Sequence, residues 1–127
     1  MIVRAKASIS TSGKVGSRHK INLVNKKEVV DFSSGKKSEV LGNASLGGKG
    51  INLSTSLLKN NKALPRTSAH EFGHSAGLKH KNAAGQHNIM TQSGKSKSTT
   101  VTSGQVKAIK SNYESGKLNQ NKEPAWK

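Results

Sequence analysis

Apolar and polar positions change their period once along this chain, near residue 60. Before that point they read as short strands. Ile2 to Ile9 alternates apolar and polar residues, as a half-buried strand does. Lys20 to Val24 (KINLV) and Glu28 to Phe32 (EVVDF) flank Asn25-Lys26-Lys27, a spacing that predicts a tight hairpin. Glu39 to Leu46 (EVLGNASL), the glycine-rich turn Gly47-Gly48-Lys49-Gly50 and Ile51 to Ser54 (INLS) follow. Together these segments predict four or five strands of one small twisted sheet over about residues 1–58.

Beyond residue 60 the spacing becomes helical. Pro65 suits a first helical turn, and Ser68 with Glu71 forms a Ser-x-x-Glu capping box. Ala69, Phe72 and Ala76 continue a short helix over about 65–77, which Gly77 stops. Residues 79–98 lack a period, and the biased stretch from Ser93 to Ser103 (SGKSKSTTVTS) reads as a surface loop. Val106, Ile109 and Tyr113 share one face of a last helix over about 102–113, and residues 114–127 read as a loose polar tail. The expected architecture is α+β in a single domain, 1–127, without internal repeats.

Composition sharpens this picture. Only 31% of residues are hydrophobic and 3% aromatic, so the core is thin. With no cysteine, neither disulfides nor thiolate metal sites are available, and histidine ligation is the remaining cross-link. The 22 Lys and Arg against 6 Asp and Glu leave a formal charge of +16, which favours acidic partners and repels itself. No apolar stretch approaches the roughly 20 residues that span a bilayer, and MIVRAKASIS lacks a signal-peptide core. The expectation is a chain secreted by another route or delivered as part of a larger polypeptide.

Residues 70 to 80 read HEFGHSAGLKH. His70 and His74, four apart on a helix, project from one face and suit a single zinc ion at about 2.0–2.1 Å. Glu71 points beside that ion, where a carboxylate can take a proton from metal-bound water and pass it to a leaving amine. Gly77 tolerates the positive φ needed to turn the chain so that His80 becomes a third ligand. Three imidazoles leave a fourth position open, which distinguishes catalytic from closed structural zinc sites. The alternatives are solvated histidines on a surface helix and a purely structural metal site. Five fixed positions in His-Glu-x-x-His-x-x-Gly-x-x-His match by chance in well under ~1 in 1,000 chains of this composition.

This motif, followed by Asn88-Ile89-Met90, resembles the signature of metzincin zinc endopeptidases, with the short matrixin-like spacing between His80 and Met90. The resemblance covers roughly residues 39 to 113. It implies zinc on His70, His74 and His80, Glu71 as general base and acid, and Met90 in a Met-turn, about 88–92, beneath the metal. It also implies a cleft edge strand at Gly42, Asn43, Ala44, Ser45 and Leu46 that pairs with an extended peptide. Thr91 to Gly94 is expected in a pocket wall. Three departures stand out: Gln92 replaces the tyrosine of some members, Lys81 follows the third ligand, and residues 10–38 hold no counterpart of the first helix. His87, three before Met90, and His19, between Arg18 and Lys20, read as solvated.

The functional expectation is therefore a zinc metalloendopeptidase acting on a protein or peptide. Its small, basic, cysteine-free make-up is similar to that of C-terminal toxin domains of bacterial secreted effectors, for which an acidic immunity or inhibitor protein is the implied partner. The alternatives are a nucleic-acid-binding module, disfavoured by the scarcity of stacking aromatics, and a catalytically inactive zinc-binding module, disfavoured by Glu71.

Overall fold

The computed structural model describes residues 19–25, 27–30, 34–35, 37–59, 62–81, 87–92, 98–122 and 124. It is a small α+β protein. Five short strands, β1 (Lys20–Val24), β2 (Lys27–Val30), β3 (Lys37–Val40), β4 (Gly42–Ala44) and β5 (Gly50–Ser54), precede a 3-10 turn at Thr55–Lys59. Two helices follow, α1 (Ala63–Ser75) and α2 (Ser103–Glu114). The strand expected at Ile2 to Ile9 lies outside the described residues. Among the described residues no helix is long and apolar enough to cross a membrane.

The strands pair differently from the expected single sheet. A mixed three-stranded sheet has the order β1-β5-β4, and β2 with β3 forms a separate antiparallel pair. β1 is not the hairpin partner of β2; it runs parallel to β5, Ile21 facing Ile51 and Leu23 facing Leu53. The expected strand from Glu39 to Leu46 breaks at Leu41, so that β3 joins the pair and β4 turns onto β5. Leu41 keeps its carbonyl satisfied by accepting from Ser54 N at 2.8 Å. β5 is central and buried at every position. Its two polar side chains survive burial because both are hydrogen-bonded. Asn22 Nδ2 donates to Asn52 Oδ1 at 3.0 Å, and Ser54 Oγ donates to Glu39 Oε1 at 3.0 Å.

Two small apolar clusters result. Ile51, Leu53 and Leu57, with Leu41, Ala44, Ala63 and Leu64 against them, fill the space between sheet and α1. Leu78, Ile89 and Met90, backed by Ala108 and Ile109, fill the space between the chain after α1 and α2. α2 starts where expected, and a capping box not foreseen from the sequence holds its first turn. Thr102 Oγ1 accepts from Gln105 N at 3.1 Å, and Gln105 Oε1 accepts from Thr102 N at 3.0 Å.

The chain after α2 is not loose throughout. Lys49 N donates to Gln120 O at 2.9 Å, Gln120 N to Gly47 O at 2.9 Å and Gly50 N to Lys122 O at 3.2 Å. These main-chain bonds dock residues 117–122 along the glycine-rich turn. Gly47, at φ +71°, has no room for a Cβ beside the Lys117 carbonyl.

Candidate metal centre

α1 carries the first two histidines but begins earlier than Ser68. Its first turn is Ala63, Leu64 and Pro65, where proline's missing N–H costs nothing because early helical N–H groups lack partners. Ser68 is inside the helix and donates to Leu64 O at 2.8 Å, so the expected capping box from Ser68 to Glu71 does not form. The other end behaves as expected. Gly77, at φ +86°, donates to His74 O at 2.8 Å while Leu78 N donates to Gly73 O at 2.9 Å, the paired bonds of a Schellman stop. From α2, Asn112 Nδ2 donates to Ala76 O at 3.3 Å and occupies the space a Cβ on Gly77 would need.

That turn brings His80 back over the helix. His80 Nε2 lies 3.1 Å from His74 Nε2 and 3.2 Å from His70 Nε2. The opposite nitrogens explain the orientation. His70 Nδ1 is 2.7 Å from Ile89 O, and His74 Nδ1 is 2.7 Å from Leu78 O. A carbonyl only accepts, so each Nδ1 carries the hydrogen and each neutral ring turns its Nε2 lone pair to the common centre. A tetrahedral ion bound at about 2.0–2.1 Å separates its nitrogen ligands by about 3.3–3.4 Å, close to the two spacings from His80, and all three rings offer a nitrogen within 4.8 Å of the others. A proton on His80 Nε2 bridges one neighbour at a time, whereas a cation bridges all three. The three rings are therefore close enough, and suitably oriented, to hold a metal ion.

Electrostatics agree with neutral ligands. Burial holds the His74 imidazolium down to about pKa 4, opposed by the Leu78 hydrogen bond and aided by the other two rings. Burial likewise lowers His70 and His80. At neutral pH few protons compete for the lone pairs.

Glu71 is 6% exposed and burial raises its carboxyl pKa to about 7. Its Oε2 has no hydrogen-bond partner among the described residues, an orphaned buried oxygen of the kind that functional sites keep. On the other side it packs on β4. A Cβ built on Gly42 would lie 2.8 Å from Glu71 Cγ and 2.9 Å from Oε1. β4, the edge of the three-stranded sheet, thus runs directly against the carboxylate. Ser45 is half-buried just beyond it, and Leu46 is exposed.

Met90 is fully buried beneath the helix. It fits there because residue 73 is glycine, where an added Cβ would overlap Met90 Sδ. The turn that carries it is closely bonded: Asn88 Oδ1 accepts from Met90 N at 2.8 Å, Thr91 N donates to Asn88 O at 3.0 Å, and Thr91 Oγ1 donates to Lys81 O at 2.6 Å. Thr91 is buried and Gln92 exposed, while the expected pocket wall at 93–94 falls outside the described residues.

Several contributors were not foreseen from the sequence. Arg66 Nη2 donates to Thr91 O at 2.8 Å, and Ser75 Oγ donates to Gly48 O at 2.6 Å, tying α1 to the glycine-rich turn. Arg66 stands four residues before His70, which was the available signal for a shared face. His19 is also more engaged than a solvated residue. Its Nε2 lies 2.8 Å from Ser75 Oγ, and partial burial with nearby Lys49 lowers its pKa. His87 is exposed and is not part of the three-histidine cluster.

The chain matches no protein-family model, no curated protein and no solved structure.

Proposed function

We propose that the protein is a zinc-dependent endopeptidase of the metzincin kind. The observation that carries this reading is the convergence of His70, His74 and His80 Nε2 next to a buried carboxylate, Glu71. A zinc ion held by the three rings would supply the Lewis acidity that polarises a peptide carbonyl and eases deprotonation of water. The protein's own groups do the rest. Glu71 accepts the proton of the attacking water and hands it to the leaving amine nitrogen, a transfer helped by a pKa near neutrality. The carbonyls of Ile89 and Leu78 hold two ligand rings in the correct tautomer. Met90 supports the helix from below. The edge strand, extended to Gly42, Asn43, Ala44, Ser45 and Leu46, aligns an extended peptide across Glu71 by strand addition.

The same reading extends to a toxin domain of a larger bacterial effector, with the +16 charge favouring an acidic immunity or inhibitor protein through steering. A nucleic-acid-binding module draws on the charge alone and leaves the three-histidine centre unexplained.

Purified without chelators, the protein should contain close to one zinc per chain. Glu71→Ala should keep that zinc and lose peptidase activity by about 10²–10⁴-fold, the usual worth of a positioned base. Absence of metal would sink the ligand assignment, and full activity in Glu71→Ala would sink the mechanism. For the toxin extension, growth of bacteria expressing the wild type should suffer while growth with Glu71→Ala does not; equal growth removes it.

A further inference from the structure

We infer that Arg66 is a positioning residue of the metal centre: its guanidinium pins the turn whose Ile89 carbonyl orients His70. The inference rests on reading the three histidines as a metal site and adds a part to it.

Arg66 lies one helical turn before His70 on the same face of α1. Its Nη2 donates to Thr91 O at 2.8 Å and to Asn88 O at 3.4 Å, and its Nε donates to Ser98 O at 3.1 Å. Asn88 and Thr91 are the two ends of the turn, so one planar group closes it from outside. Between those ends sit Ile89, whose carbonyl accepts from His70 Nδ1 at 2.7 Å, and Met90, which lies under Gly73. Helix and turn are thus joined twice on one side, by His70 and by Arg66. The Ser98 contact adds the segment leading into α2, where Thr100 O accepts from Ile89 N at 2.9 Å.

Chemistry favours arginine for this work. The guanidinium stays charged, and its fixed fork reaches several carbonyls at once, each bond strengthened by the charge. A lysine presents a single point donor and holds at most part of the set. A shift of the turn by a fraction of an ångström moves Ile89 O, and with it the tilt of the His70 ring at the common centre. Partners that orient a metal ligand in this way are worth about 10–100-fold in metal affinity or activity.

The test compares wild type, Arg66→Met and Arg66→Lys by zinc competition titration, by the visible spectrum of the cobalt(II)-loaded protein and by metal-free unfolding. Arg66→Met should unfold cooperatively without metal, bind zinc about 10–100-fold more weakly and show an altered cobalt band, with Arg66→Lys in between. Wild-type zinc affinity and an unchanged cobalt spectrum in Arg66→Met, whatever its loss of stability, would overturn the inference and leave a structural clamp only. Should Arg66→Met not fold, hydrogen exchange at Arg66 Nε–H in the wild type decides. Slower exchange on zinc loading supports the coupling, and unchanged exchange overturns it. Failure of the wild type to bind zinc or cobalt is a separate result, which counts against the metal site itself.

Discussion

At the scale of single residues, the site is built from groups whose charge states are set by burial. Glu71 and the three histidines respond to pH in opposite senses in the metal-free protein. Burial raises Glu71 from 4.5 to about 7, so between these values the folded chain binds more protons there than the unfolded chain. Stability from this group is present below about pH 4.5 and is lost as pH rises towards 7. The lowered His74 does the reverse: its neutral form is favoured on folding, and stability falls as pH drops from 6.5 towards 4. Glu71→Gln removes the first effect alone. In metal-free urea unfolding, the variant should gain on wild type as pH rises from 4.5 to 8, by up to about 3 kcal/mol. A gap independent of pH would show that Glu71 is not buried in its charged form.

At the scale of elements, α1 works because of what lies against it rather than because of its own propensities. Replacing a glycine inside a helix by alanine ordinarily stabilises by up to about 1 kcal/mol. At residue 73 the sign should reverse, since an added methyl overlaps Met90 Sδ and the buried turn cannot retreat without moving Ile89 O. Gly73→Ala should cost about 1–3 kcal/mol, as overpacking does, and weaken metal binding as well. Thermal unfolding and zinc titration of the variant check both. A stabilised Gly73→Ala would mean that Met90 does not pack beneath the helix. The helix start teaches the same lesson in reverse. Ser68 and Glu71 have the spacing of a capping box, yet the helix begins at Ala63 because Leu64 and Ala63 pack on the cluster around Ile51. A cap pattern is local, and tertiary burial outweighed it.

For the whole molecule, the balance of forces is narrow. Among the described residues two clusters of three buried apolar side chains make a small core, and the net charge is +16. Three carboxylates are held locally. Glu71 is inside the site, Glu39 accepts from Ser54 and Ser56, and Glu114 meets Lys110 at 3.7 Å on the exposed side of α2, where ion pairs contribute little. A cation held by His70 and His74 of α1 and His80 of the following turn would tie these segments together. With free zinc at about 1,000 times its Kd, binding adds about 4 kcal/mol to stability. Chelation should then lower Tm by about 10 °C or more and restore on adding zinc. An unchanged Tm would separate metal from fold.

Features that depend on short spacing were legible in the chain before folding. An i, i+4 pair of histidines shares a helix face, a glycine three residues after the second permits the left-handed turn, and a third histidine three further on is carried back to the centre. The α+β alternation of periods and the start of α2 near Thr102 were legible for the same reason: the interacting groups are within a turn or two. Pairing over long separations was not. Nothing local in KINLV says that it runs parallel to INLS thirty residues later instead of folding onto EVVDF, because both partners offer the same main-chain groups and only the burial of Ile51 and Leu53 between sheet and helix chooses. Tertiary structure alone also decided that Gly42 abuts Glu71, that Arg66 grips the turn under His70, and that residues 117–122 return to the glycine-rich turn. The three histidines were written in the spacing; what holds them still was written in contacts that the spacing does not contain.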